Sequence, residues 1–162
     1  MQKVFTDVAQ VQLIECISPK RNRWAVRWDV REEGEDVTSY MEEIIDHAPT
    51  VEDVRQIITA WIDEKTATEI REGLQYQGHL VWLSMENQVN YQRDYSRAVA
   101  TAGASLPVTV KLGTDETPVL VTFTTLEQIT AFYEAVATHI SSTQAAGWEY
   151  KAAIDWENYV TA

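Results

Sequence analysis

Three histidines, a serine at the start of a helix and two acidic runs are the residues that would do chemistry if their spacing allowed it. His47, His79 and His139 are far apart, and none stands in a pattern such as H-E-x-x-H that would set two imidazoles on one helical face for zinc. Solvent-facing or hydrogen-bonded structural roles account for them. Ser84, in "VWLSMENQ", lacks the G-x-S-x-G elbow of a nucleophile, and capping a helix explains its place. The runs Glu32, Glu33, Glu35, Asp36 and Asp115, Glu116 lie beside glycines and miss the EF-hand spacing, so solvated turn charge is a better account than a weak calcium site. The six glycines are isolated, with no phosphate-cradling loop among them. Cys16 is the single cysteine, which excludes an internal disulfide and a cysteine zinc cluster and reads as a small buried apolar side chain. No catalytic residue, metal site or cofactor is expected, and the chain does not read as an enzyme.

Aromatic residues say more. Six Trp, seven Tyr and three Phe in 162 residues are more than a small core easily hides, so some belong to an interface. Core roles are favoured for Trp61 and Trp82, while Trp24, Trp28 and Trp156 divide evenly between core and interface. With 13 Lys plus Arg against 25 Asp plus Glu, the net charge of −12 repels phosphate backbones, so no nucleic-acid partner is expected. The basic spot Lys20, Arg21, Arg23 reads as a solvated loop before a strand. No apolar run approaches the ~18 residues of a bilayer span, and "MQKVFTDVAQ" is no secretory signal, so synthesis in a cytoplasm without membrane insertion is expected.

The elements that must position these residues follow from periodicity. Trp24, Val26, Trp28 and Val30 alternate with polar or small neighbours, the pattern of a strand buried on one face, and "REEGED" turns the chain into a return strand. This predicts a hairpin over 22–46, with one or two edge strands from residues 4–17. At Thr50 the period changes: Thr50 and Asp53 begin a helix running to about Arg71, with Val51, Val54, Ile57, Ile58, Trp61 and Ile62 on one face. That face turns polar at Lys65 and Thr68, which predicts an exposed second half. Leu74 to Leu83 reads as a hairpin around Gln77–Gly78, and Ser84 caps a helix over 85–102 with a stripe of Met85, Val89, Tyr91, Tyr95, Ala98, Val99 and Ala102. "LPVTVKL" and "PVLVTF" predict a third hairpin. Thr125 and Gln128 then open a last helix whose stripe runs from Leu126 to Ile154, with Gly147 either allowing close approach or breaking it.

The expected fold is α+β: three β-hairpin/helix units, antiparallel sheets packed by amphipathic helices, with an N-terminal β module over 1–49 and a second domain over 50–162. The three units share no sequence identity, so they form no true repeat.

From about Arg55 to Trp156 the chain resembles an uncharacterised bacteriophage and prophage domain of unknown function. The residues that carry the resemblance are "TEIREGLQYQGHLVWLSMENQVNY", "LPVTVKLG", "FTTLEQITAFYEAVATHI" and "GWEYKAAIDW". Within the first motif the matched positions are Gly78, Trp82, Leu83, Ser84, Glu86, Asn87, Gln88, Asn90 and Tyr91. The resemblance implies a tail-fibre-associated or otherwise virion-associated protein with no established catalytic residues. A turn, a buried Trp82 and a capped helix explain most of the motif. Glu86, Asn87 and Asn90 are left on the polar side, able to bond a neighbouring loop or another subunit.

Together these readings predict a non-enzymatic structural or adaptor protein on the exterior of a phage particle, in its tail or fibre apparatus more than its head. It would be made in the host cytoplasm, dock onto other phage structural proteins and form a homo-oligomer or part of a larger assembly. Its candidate protein-interface residues are Trp24, Trp28, Glu86, Asn87, Asn90 and Trp156. The alternative is a tail-fibre assembly chaperone that acts in the host cytoplasm and is absent from the mature virion.

Overall fold

A computed structural model of the chain describes residues 1–8, 10–34 and 36–160, so Glu35 of the first acidic run lies outside the described residues. The chain divides into two compact units, one made of Met1–Ile62 with the segment from Lys151 onward, the other of Asp63–Tyr150.

In the first unit β1 (Gln2–Thr6), β2 (Ile14–Ser18), β3 (Arg23–Gly34) and β4 (Val37–Ile45) form one antiparallel sheet in the order β1-β4-β3-β2. The expected hairpin is its centre, and the less regular stretch before it supplies both edges. Strand alternation buries Val26 and Trp28, and the Trp28 ring meets Trp61 of helix α1 (Val51–Glu72) edge-on, with centroids 6.0 Å apart. The alternation then breaks. Asp29 adopts a positive φ of 52° in a bulge between Trp28 and Arg31, and this turns Val30, expected on the buried face, out to solvent. On the other face Arg27 binds Glu42 at 2.9 Å and Glu15 at 2.6 Å and lies over the Tyr40 ring. Cys16, expected to be buried, is half-buried on the edge strand β2.

Helix α1 starts at the expected box: the Asp53 amide donates to Thr50 Oγ1 at 3.2 Å, and Asp53 Oδ2 accepts from the Thr50 amide at 2.8 Å and its hydroxyl at 2.6 Å. The bonds from Thr50 hold the Asp53 carboxyl below its ordinary range. A carboxylate whose folded pKa is depressed stabilises above its unfolded pKa and loses that contribution as pH falls through the folded value. The stability difference between wild type and Asp53→Asn should therefore be full above about pH 4 and vanish at lower pH in an acid series of urea melts. Val54, Ile58 and Ile62 of α1 are buried. Compactness thus divides the chain inside α1, where periodicity divides it near Pro49, because the first half of this helix packs with the sheet through Trp61 and Trp28.

The second unit holds two small hairpins and two more helices. β5 (Gln75–Tyr76) and β6 (His79–Leu80) flank Gln77 and Gly78, both at positive φ, the conformation of a primed hairpin turn. The ladder is shorter than expected: beyond Leu80 the backbone N–H groups of Val81 and Leu83 donate to Leu74 O and Arg71 O, both at 2.9 Å. Helix α2 (Met85–Ala100) stops two residues before the expected end, and Ala102 and Gly103 adopt positive φ. β7 (Val108–Gly113) and β8 (Pro118–Phe123) pair antiparallel, and α3 (Leu126–Ala152) opens with the Thr125–Gln128 box.

The core of this unit brings together Leu74, Val81, Leu83, Tyr91, Val110 and Leu112 with Phe123, Ile129, Phe132 and Val136. Helix α3 runs unbroken through Gly147 and leaves Ile154 outside it. A Cβ at Gly147 would lie 2.5 Å from Thr66 Oγ1, so the second half of α1, expected to be exposed, has packing to do here. Gly147→Val should destabilise by about 1–3 kcal/mol through overpacking. The loss should shrink in a Thr66→Ala background, and a double-mutant cycle of urea melts measures the coupling.

Candidate functional site

The stretch from Trp82 to Tyr91 joins a strand end to a helix, and its polar side chains tie the joint together. Ser84 caps α2, with its Oγ accepting from the Asn87 amide at 3.2 Å. Asn87 Nδ2 donates to Trp82 O and Gln88 Nε2 donates to Leu83 O, each at 2.8 Å. Of the two partners open to Asn87 in the sequence, a loop or another subunit, the loop takes its amide N–H.

Trp82 corrects the expectation of a buried indole. Val81 and Leu83 are both buried, and in an extended chain the residue between them must point the other way, so Trp82 is 42% exposed. Its ring carries the Arg71 guanidinium at 5.6 Å. Trp82→Ala should then cost only about 1 kcal/mol in a urea melt, far short of a buried-Trp truncation. Ser84→Ala should cost ~0.5–2 kcal/mol, the usual loss of an N-cap.

The stripe of α2 needs a correction of the same kind. Tyr91 and Ala98 are buried, whereas Met85, Val89 and Val99 are exposed, Met85 at 75% and Val89 at 58%. The buried line is narrow because the unit already encloses Phe132 and Phe123 around Tyr91, whose phenol is pushed up by burial. Asn87, Asn90 and Asp94, expected on the outer side, are instead half-buried.

A groove of about 740 Å³ accounts for that half-burial. Glu86, Asn87 and Asn90 of α2 form one wall, Thr109 and Lys111 of β7 the other, and Trp82 also lines it. Its charges are largely paired: Arg93 with Asp94 at 3.0 Å, and Lys111 with Asp115 at 2.6 Å, which holds the Asp115 carboxyl below its ordinary range. Three of the six interface candidates therefore meet in one place. The other three belong to the first unit: Trp28 is core, Trp24 is half-buried with its indole N–H on Asn22 Oδ1, and Trp156 is half-buried under the Arg55 guanidinium. Trp28, being 2% exposed, drops out of the candidate interface. The sequence singles out neither Thr109 nor Lys111 and reads Asp115 only as turn charge, because only the tertiary fold sets their hairpin beside α2.

Elsewhere the groups with chemical potential serve the fold. His139 Nε2 lies 3.0 Å from Glu69 O and His47 Nε2 lies 3.4 Å from Asp53 Oδ2. Glu33 of the first acidic turn accepts from Lys3 and Ser39, and these bonds lower its pKa. Among the described residues no group of three or more His, Cys, Asp or Glu side chains is placed to hold a metal, and no helix is long and apolar enough to cross a membrane.

The model of one protein family, "Domain of unknown function (DUF4376)", matches residues 49–162. The chain belongs to this family. No curated protein and no solved structure matches it. The DUF4376 region takes in the whole groove and all three helices, and it leaves β1–β4 with Trp24 and Trp28 outside.

Proposed function

We propose that this DUF4376 protein is a non-enzymatic structural or adaptor component of a bacteriophage particle, in the tail or fibre apparatus, and that it works by docking other proteins. The observation that carries docking over catalysis is the use of the groove's polar groups. Ser84 and Asn87 hold the chain's own backbone, and Arg93, Asp94, Lys111 and Asp115 neutralise one another. What the region offers a partner is shape and apolar surface, with Met85 and Val89 one turn apart on α2 and Trp82 at its start. The phage context rests on the resemblance of "GHLVWLSMENQVNY" and the later motifs to a prophage domain. The net charge of −12 suits an exterior position better than contact with packaged DNA.

Mass spectrometry of purified particles, paired with deletion of the gene, tests this reading. Recovery at a fixed stoichiometry with other virion proteins is the expected result. Absence from particles that nonetheless need the gene for infectivity would replace it with the assembly-chaperone reading. Absence together with full infectivity would overturn both.

A further inference from the structure

The exposed apolar residues of α2 fall on one line. Met85, Val89 and Val99 are exposed, and Gln92 and Ser96, exposed as well, continue the same line. Steps of four, three, four and three residues carry it along the helix, the spacing of a seam between two helices. At 100° per residue the line lies on the side away from Tyr91 and Ala98, which the core covers. None of its five residues lines the groove, so this is a separate surface of the same helix. Its length is about 21 Å, at the helical rise of 1.5 Å per residue.

Charge selects the occupant. Two copies of a chain of net charge −12 repel one another over most of their surfaces. Helix α2 departs from that balance, because Glu86 and Asp94 are matched by Arg93 and Arg97, and here a second copy can approach. Glu86 and Arg97 stand on one flank of the seam, three turns apart, and among the described residues no ion pair engages either. In an antiparallel pair with a two-fold axis near Gln92, Met85 of one copy faces Val99 of the other and Val89 faces Ser96. Like flanks meet in such a pair, so Glu86 of each copy comes level with Arg97 of the other, and the surface is complementary to itself. Arg93, nearest the axis, carries its counter-charge with it in Asp94 at 3.0 Å. Parallel pairing would instead set this flank against Gln88 and Tyr95 and leave Glu86 and Arg97 unmatched.

We infer that the protein forms a homodimer through α2, packed antiparallel on a second copy of itself along Met85, Val89, Gln92, Ser96 and Val99. The inference deepens the docking reading by naming one partner, and it is independent of the phage context. A single helix pair of this length is a small interface, so the dimer is reversible. Sedimentation equilibrium of the full chain, from about 10 μM to about 1 mM, measures it.

The expected result is a monomer–dimer equilibrium within that range. Val89→Lys should weaken it at least about tenfold with unchanged melting, since the side chain is exposed in the monomer. Glu86→Arg and Arg97→Glu should each weaken it by about fivefold, and the two together should restore it. Orientation is read by cross-linking in a Cys16→Ser background: Gln92→Cys should join to itself on mild oxidation, and Met85→Cys should join to Val99→Cys but not to itself. A chain that stays monomeric to about 1 mM overturns the inference. So does a dimer indifferent to Val89→Lys, one in which the double charge exchange restores nothing, or a Met85→Cys chain that joins to itself. If the chain is monomeric yet found in particles, docking stands and the partner at this surface is a different protein. If the dimer forms as expected and the protein is absent from particles, the pairing stands and the virion assignment falls.

Discussion

Phe132→Ala should lower the stability of the second unit by about 3–5 kcal/mol, the range for truncating a buried aromatic without collapse of the space it leaves. Phe132 is 2% exposed on α3 and is the hub of an aromatic cluster. Tyr76, Tyr91 and Phe123 lie with ring centroids 5.1, 5.0 and 5.0 Å from its own. These rings come from β5, α2 and β8, so one truncation loosens three elements at once. Edge-to-face contacts with Tyr76 and Tyr91 add to the lost burial, and partial collapse is resisted because Val110, Leu112 and Ile129 already fill the surroundings. Phe132→Leu should cost far less. Urea melts of both variants, with amide exchange resolved over residues 74–136, check the size of the effect and its location. A loss under 1 kcal/mol for Phe132→Ala would remove Phe132 from the centre of this core.

Trp28→Ala should have an effect of similar size in the first unit, again about 3–5 kcal/mol. The indole is 2% exposed, lies on the central strand β3, and meets Trp61 of α1 at 6.0 Å and 74°. Its Nε1–H has no hydrogen-bond acceptor among the described residues. An unsatisfied buried donor carries a desolvation penalty of roughly 1–3 kcal/mol, which Trp28→Phe would remove while keeping most of the buried ring. Trp28→Phe should therefore be near neutral where Trp28→Ala is severe. Thermal melts of the two variants give the comparison. Equal losses would show that the indole N–H is satisfied.

Whatever depended on residues within a few positions of one another was legible in the sequence. Thr50 with Asp53, Ser84 with the Asn87 amide, and Thr125 with Gln128 cap their helices as read, because a cap bond spans a single turn and needs no tertiary partner. The hairpins at residues 22–46 and around Gly78, and the third between Val108 and Phe123, follow from alternation and turn residues in the same local way. The α+β class follows from them.

Tertiary structure alone decided which face of each element met the core. Trp82 and Val81 are neighbours of similar apolar promise, and the hydrogen bonds from Val81 to Leu74 and from Leu83 to Arg71 decide that the smaller residue goes in. Met85 and Val89 read as core by hydrophobicity, yet the cluster around Phe132 leaves α2 space for Tyr91 and Ala98 and turns the other two to solvent. The groove was hidden for the same reason. Glu86 and Asn90 are separated from Thr109 and Lys111 by some twenty residues, and no local rule brings these helix and strand residues together. Their meeting comes from packing both elements on one shared core, where shape and volume rather than sequence spacing determine which surfaces remain open.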